Sequence, residues 1–156
     1  MHIRRNRSRS PNAPVEDTGA RSYHERVSIY VSVPVADVER STRFFTAIGW
    51  SVDERFSSEH GTGFVIADGQ YLMVVEREFF AGMVKSGKTL GDPAKVALAA
   101  IAFDLPSREA VEELVARAAA AGATLDEPDD YGFMYQHGFD DPDGNHFEPM
   151  WADPSA

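Results

Sequence analysis

The chain has 156 residues, of which 43% are hydrophobic and 26% charged, a composition that predicts one globular domain with a substantial core. It contains no cysteine, which excludes disulfides, thiolate catalysis and cysteine-based zinc sites and fits a reducing, cytoplasmic compartment. No apolar run approaches the ~18 residues that a membrane span needs, so we expect no membrane partner.

The net charge of −10 is unevenly distributed along the chain. Residues 1–26 hold six arginines and three acidic residues and so carry +3, whereas the remainder carries −13. The basic segment contains two prolines and few apolar residues, a composition that predicts a disordered extension. The acidic remainder repels polyanions, so we do not expect nucleic acid to be a partner.

The first half of the chain predicts a strand, a helix and three further strands. Apolar β-branched residues alternate with other residues from Val27 to Val35, which is typical of a strand. Asp37 is a favoured N-cap, and the helix that follows it is expected to end at Gly49. The remaining strands are expected near residues 50–56, 62–67 and 70–75, with an Asp-Gly hairpin signal before the last one.

The second half repeats this order after a glycine-rich linker, residues 79–95. A strand over residues 96–105 precedes Ser107, a second N-cap, and the helix after it is expected to end at Gly122. Strands are expected near residues 123–125, 134–139 and 145–151, the last two joined by an Asp-Pro-Asp-Gly turn. The chain therefore predicts an α+β fold made of two βαβββ modules, residues 27–78 and 96–152.

Two such modules with a closing Asp-Pro-Asp-Gly hairpin resemble the vicinal oxygen chelate superfamily, which includes glyoxalase I, bleomycin-resistance proteins and extradiol dioxygenases. The resemblance spans residues 27–152 and is most specific over residues 33–45 and 139–148, while residues 130–135 resemble a glyoxalase-like bacterial subgroup. It implies two curled half-barrel sheets, with helices on their convex faces. It also implies a cleft that a second copy often completes, so we expect a homodimer.

Metal-dependent members of that superfamily carry one ligand on the first strand and one on the last strand of each module. The resemblance places these four positions at Tyr30, Met73, Ala100 and Glu148. Only Glu148 is a usual ligand for a hard cation, because alanine has no donor, thioethers suit soft metals and neutral tyrosine binds weakly. We therefore expect no cofactor, and a divalent metal only if other ligands hold it.

A second candidate constellation centres on the last strand. His146 and Glu148 are two residues apart and so face the same side, and counting back across the hairpin places His137 roughly opposite Glu148. These three residues would suit a 2-His-1-carboxylate metal group, and the alternative is a purely polar cross-strand cluster. Without a metal they remain the candidate catalytic residues for general acid–base chemistry.

Aromatic and methionine side chains on the predicted concave faces and in nearby loops suggest a pocket for a small organic molecule. The alternative is that they fill a closed core or a dimer seam. The candidate pocket residues are Tyr30, Tyr71, Met73, Tyr131, Phe133 and Trp151.

The sequence thus predicts a glyoxalase/bleomycin-resistance-like protein that binds a small organic molecule in an aromatic-lined cleft, without the standard metal of the superfamily. One alternative is a lyase, isomerase or dioxygenase of the same superfamily with a displaced metal or a metal-free acid–base site. Another is a dimeric interaction module without a ligand. Nucleotide hydrolysis and serine-esterase chemistry lack their sequence signatures.

Overall fold

The computed structural model describes residues 27–85 and 87–156, so the predicted basic extension lies outside the described residues. The helices within them are α1 (Val38–Ala47), α2 (Arg77–Met83) and α3 (Arg108–Ala120). The strands are β1 (Ile29–Val35), β2 (Ser51–Ser58), β3 (Gly61–Ala67), β4 (Gln70–Glu76), β5 (Ala100–Asp104), β6 (Thr124–Leu125), β7 (Asp129–Asp130), β8 (Met134–Gln136), β9 (Phe139–Asp140) and β10 (His146–Ala152).

Each module contributes one sheet of the same design. In the first, the order is β1-β4-β3-β2, with β1 parallel to β4 and the other neighbours antiparallel. In the second, β5 is parallel to β10, β10 is antiparallel to β8 and β9, and those two pair with β7 and β6. The predicted α+β fold with a repeated βαβββ plan is confirmed.

The two long helices begin and end where the sequence predicts. The side chains of Asp37 and Ser107 accept hydrogen bonds from the backbone N–H groups three residues later, which satisfies donors that a helix start leaves free. Gly49 and Gly122 follow the helices at φ of 108° and 105°, a conformation that favours glycine. In the part of the chain that the structure describes, no helix has the length and apolar character needed to cross a membrane.

One hydrophobic core joins both long helices to one face of each sheet. Phe45 of α1 stacks on Trp50 with ring centroids 5.3 Å apart and meets Phe147 of β10 at 5.4 Å. Val111 and Ala118 of α3 are also fully buried in this cluster. Because the helices cover one face of each sheet, the opposite, concave faces are left for a site.

The last hairpin of module two fastens onto module one. A carboxylate oxygen of Asp143 accepts the backbone N–H of Ala36 at 2.9 Å and pairs with Arg40 at 2.8 Å. The amide of Asn145 donates to the carbonyl of Pro34 at 3.2 Å and to the Asp141 carboxylate at 3.0 Å. Burial raises the pKa of Asp141, although hydrogen bonds from Asn145 oppose that shift.

Four elements differ from the sequence prediction, and one of them is the short strand β7 (Asp129–Asp130), which the sequence did not predict. Helix α2 occupies the start of the predicted linker, where no glycine or proline interrupts residues 77–81. Strand β5 begins at Ala100, because the preceding segment turns back so that the N–H of Val96 donates to the carbonyl of Asp92. The expected strand over residues 134–139 is divided into β8 and β9 near Gly138, consistent with the weakening effect of glycine within a strand.

Candidate functional site

The concave faces of both sheets carry the candidate site, and strand alternation decides which side chains reach them. On β1, Val33 and Val35 are buried in the core, so Tyr30 and Ser32 take the concave face. On β10, Phe147 is fully buried, so its two neighbours take the concave face. By the same alternation, each of the four metal-ligand positions implied by the superfamily resemblance lies on a concave face: Tyr30, Met73, Ala100 and Glu148.

The strand registers make equivalent positions of the two modules explicit. Tyr30 pairs with Tyr71 across β1 and β4, and Ala100 pairs with His146 across β5 and β10. The first pair presents two aromatic rings, whereas the second presents a methyl group and an imidazole. The same place in the fold therefore carries different chemistry in the two modules.

Module one holds an apolar cavity of about 210 Å³ on its concave face. Strand residues form its walls, and Phe79 and Met83 of α2 border it. His60 stacks on Phe79 with centroids 4.6 Å apart, and its Nδ1 lies 3.0 Å from a Glu76 carboxylate oxygen, which connects the β2–β3 hairpin to α2. The complete lining is Tyr30, Ser32, Phe56, Ser58, His60, Gly61, Met73, Val75, Phe79 and Met83.

Aromatic packing orders the wall of this cavity. Tyr30 stacks on Tyr71 with centroids 4.6 Å apart and meets the edge of Phe56 at 5.1 Å. Gly63 makes the arrangement possible, because a Cβ there would lie 2.8 Å from the Phe56 Cβ and 3.2 Å from the Met73 Sδ. The side chains offered to a ligand are therefore flat aromatic rings and a polarizable thioether.

Module two places a charged cluster on its concave face. His146 Nδ1 lies 2.8 Å from an Asp140 oxygen, and its Nε2 lies 3.2 Å from a Glu148 oxygen. An Asp126 oxygen is 3.9 Å from the same Nε2. Gly138 gives these groups room, because a Cβ there would lie 2.7 Å from Asp126 and 3.2 Å from the His146 ring. The carboxylates thus bracket the imidazole from both sides.

The bracketing carboxylates favour the protonated form of His146. Burial by itself lowers the pKa of the ring, but hydrogen bonds to Asp140 and Glu148 outweigh it and hold the pKa above its ordinary value of 6.5. An imidazolium donates from both nitrogens and so satisfies both carboxylates. These contacts therefore favour the imidazolium, the form of the ring that can donate a proton.

His137 lies elsewhere. The pairs Phe147–Phe139 and Met150–Gln136 place Gly138 opposite Glu148, one residue away from the position expected for His137. His137 Nε2 instead makes a 2.9 Å contact with the backbone carbonyl of Asp126. The structure therefore brings His146 and Glu148 together but does not join His137 to them.

The other predicted pocket residues divide into three groups. Tyr30 and Met73 line the module-one cavity, and Tyr71 supports it by stacking on Tyr30. Tyr131 and Phe133 lie at the tip of the β7–β8 hairpin, 54% and 57% exposed, where they border neither that cavity nor the His146 cluster. Trp151 faces inward from β10 and packs against the core.

Sequence reasoning missed several members of the site. Phe56 borders the cavity from β2, but simple strand alternation from Val52, which pairs with the core residue Phe64, would have placed it on the opposite face, because the register of β2 shifts between Asp53 and Ser58. Asp140 pairs directly with His146 across the hairpin, so a correct register would have found it. Asp126 and Phe79 reach the site from segments outside its central strands, and no local pattern signals that approach.

The match with known proteins agrees with this geometry. Residues 28–148 match the model of the Glyoxalase/Bleomycin resistance protein/Dioxygenase superfamily. The chain therefore belongs to this superfamily. A search of curated protein sequences finds no match.

Solved structures of similar fold come from several bacteria. A glyoxalase/bleomycin resistance protein/dioxygenase family enzyme from Burkholderia phytofirmans PsJN is 26% identical, with 79% of this chain and 96% of that chain covered at a TM-score of 0.65. A glyoxalase-related enzyme from Fulvimarina pelagi is 22% identical, with coverages of 81% and 88% and a TM-score of 0.67. The fosfomycin resistance protein FosX from Listeria monocytogenes is 21% identical, with coverages of 81% and 93% and a TM-score of 0.58. The last two show likeness of fold alone.

The residues present do not fit the metal site that the superfamily resemblance implies. Of the four concave positions, Ala100 has no donor atom, and Tyr30 and Met73 are poor ligands for hard cations. Within residues 27–85 and 87–156, no three histidine, aspartate or glutamate side chains form a group that could hold a metal ion. Around His146 the Asp140 carboxylate approaches Nδ1, whereas the Glu148 and Asp126 carboxylates approach Nε2, so the three carboxylates contact two different ring nitrogens.

Proposed function

We propose that this protein binds a small organic molecule on its concave faces without the divalent metal associated with its superfamily. The observation that carries the proposal is the aromatic cavity of module one, about 210 Å³ in volume, at the superfamily's ligand positions. Small-molecule sites are commonly concave and apolar with a few polar groups. Here Ser32, Ser58 and His60 supply the polar groups.

We propose further that two copies associate to cover this face. Tyr30, Phe79 and Met83 are 47%, 48% and 50% exposed, so apolar surface around the cavity remains open in a single copy. Contiguous apolar surface of this kind commonly marks an interaction site. Sedimentation equilibrium would test this point, since a strictly monomeric protein would contradict it.

A second candidate function is metal-free catalysis, favoured by the 3.2 Å contact between His146 and Glu148. The carboxylates that raise the pKa of His146 favour the protonated ring, the form that general acid catalysis requires. This candidate predicts turnover of a bound compound that is lost in His146→Gln. Binding without turnover would favour the first function.

The metal-free part of the proposal is tested by elemental analysis of protein purified without a histidine tag or chelator. We expect neither the wild type nor Glu148→Ala to hold a transition metal in stoichiometric amount. Near-stoichiometric iron, zinc, nickel or manganese that disappears in Glu148→Ala would contradict this part and indicate a metalloenzyme with an unusual ligand set.

The binding part is tested by a thermal-shift screen of small aromatic compounds, followed by calorimetry on the compounds that bind. Tyr30→Ala should weaken binding about tenfold or more, because it removes a wall of the cavity and roughly 1.4 kcal/mol is a factor of ten. Tyr131→Ala is the matched control, since Tyr131 lies at the exposed hairpin tip. Equal losses in both variants would place the ligand elsewhere.

A further inference from the structure

A second cavity lies between the two modules, beside the concave faces. Its volume is about 280 Å³, and it shares only Ser32 with the lining of the module-one cavity. Strands β1 and β5 flank it. Phe80 of α2, members of the segment 90–99 that leads from the linker into β5, and residues 144–146 of the last hairpin complete its wall. Its main apolar lining residues are Val31, Val33, Phe80, Leu90, Leu98 and Ile101.

The linker over this cavity is fastened at several points. Arg77 Nη2 donates to the carbonyl of Gly91 at 2.6 Å, which ties the linker to the start of α2. At the other side, Gly144 approaches so closely that a Cβ there would lie 2.8 Å from the Cα of Ala94. Between them, the carbonyl of Asp92 accepts the N–H groups of Lys95 and Val96, both at 2.9 Å. These contacts hold the linker in place above the space.

The size and lining of the cavity indicate what it can take. A cavity of about 150 Å³ lined by apolar side chains already binds benzene, so the volume here suffices for a somewhat larger apolar molecule. Among the described lining residues His146 is the one titratable group, and both of its ring nitrogens are held by carboxylates. A charged ligand would therefore lose its hydration without gaining a free counter-ion.

The rim of the cavity nevertheless offers hydrogen-bonding partners for one uncharged polar group of a ligand. In the described sheets β1 pairs only with β4 and β5 only with β10, so each strand turns one edge towards the space between the modules. Ser32 also borders the cavity with a hydroxyl that can donate or accept. A ligand with a single carbonyl or hydroxyl group can thus be satisfied there.

We propose that this inter-module cavity is a binding site for a small, uncharged and mainly apolar molecule of roughly two fused rings, a size scaled from the benzene-binding cavity. This cavity is distinct from the module-one cavity that carries the proposed function, although Ser32 borders both and His146 of the module-two concave face also lines it. Its ligand enters beneath the linker and packs between β1 and β5.

The neutral naphthalene dye prodan serves as a probe, because its emission shifts to the blue in apolar surroundings. Titration of the full chain should give a saturable blue shift. Laurdan, the same fluorophore with a long acyl chain, should not saturate the site, since the chain exceeds the cavity. Equal saturable binding of the two dyes would indicate an open surface and overturn the proposal.

Two cavity-filling variants locate the bound dye. Ala99→Leu occupies the inter-module cavity and should weaken prodan binding about tenfold or more. Ser58→Leu occupies the module-one cavity and should leave prodan binding unchanged. Thermal unfolding confirms that each variant folds, and Ala97→Leu replaces Ala99→Leu if that variant does not.

The opposite pattern, with loss in Ser58→Leu and retention in both linker variants, would assign the dye to the concave site and overturn the proposal. The absence of a saturable shift in the wild type would overturn it as well. Because the aromatic ligands of the concave site are tested separately with Tyr30→Ala, failure here and failure of the proposed function remain distinguishable.

Discussion

The last strands of the two modules, β4 and β10, occupy equivalent positions in the fold. Their core-facing sides carry similar side chains, whereas their concave sides carry different ones. Leu72 in β4 and Phe147 in β10 are both fully buried against the helices. The residues that follow them, Met73 and Glu148, both face the concave side but differ in size, polarity and charge. Packing constrains the core face, because a void or a buried polar group there is costly. The concave face is free of that constraint and carries the differences between the modules.

The largest effect should come from the core face. Phe147→Ala should lower the free energy of unfolding by about 3–5 kcal/mol, because it leaves a cavity among Phe45, Trp50 and Phe139. Glu148→Ala, one residue along on the concave face, should cost below about 1 kcal/mol because partly exposed polar pairs contribute little. Urea denaturation of both variants measures the difference. Similar losses of unfolding free energy in the two variants would contradict the claim that packing constrains the core face more than the concave face.

Substitutions in the last turn of each module should differ less in their effect on the free energy of unfolding. Asn145→Ala should cost about 1–3 kcal/mol, because the carbonyl of Pro34 and the Oδ2 atom of Asp141 lose the donor that the Asn145 amide supplies. Asp68→Ala is the matched change in the exposed turn of module one and should stay within about 0.5 kcal/mol. Thermal or urea unfolding compares them. An Asp68→Ala loss equal to that of Asn145→Ala would refute the inter-module role of the last hairpin.

The smallest expected effect is on the pH dependence of stability. It should be seen on substitution of His146 but not of Tyr71, the residue at the equivalent position of module one. The pKa of His146 is raised in the folded protein by Asp140 and Glu148, so its stabilising contribution is complete below pH 6.5 and is lost as the pH rises through the folded-state pKa. His146→Gln should therefore reduce the drop in stability between pH 6 and pH 8, by less than about 1 kcal/mol since the group is partly exposed. Tyr71→Phe should leave that drop unchanged. Urea denaturation at several pH values measures this drop. If the drop is unaltered in His146→Gln, the carboxylates do not stabilise the protonated ring as described.

Local chemistry made most of the fold predictable from the sequence. The N-caps Asp37 and Ser107 and the glycines that follow both helices act through their immediate neighbours, so their positions could be read directly. The repeated order of elements then followed from periodicity and from the two turns. The division of a strand near Gly138 was harder to predict, because glycine weakens a strand without always interrupting it, and residues 137 and 138 also lie against Asp126, which is distant in sequence.

The candidate site was less accessible to sequence reasoning for the same physical reason. Tyr30, Met73, His146 and Glu148 lie on central strands, where alternation determines the face. The groups that complete their surroundings come from other segments, with Phe79 approaching from α2 and Asp126 from the stretch between β6 and β7. Such meetings depend on tertiary packing and leave no periodic trace in the chain.

The contact between Asp143 and Ala36 also bears on how the protein is made. These residues are 107 positions apart, and the carboxylate of the later one secures the backbone at the entrance to α1. During translation module one leaves the ribosome before residues 141–145 are synthesised. Until then the backbone N–H of Ala36 lacks the hydrogen bond to Asp143. Long-range contacts of this kind slow folding and extend the time that apolar surface stays exposed. The entrance to α1 therefore lacks this hydrogen bond until the last hairpin has been synthesised.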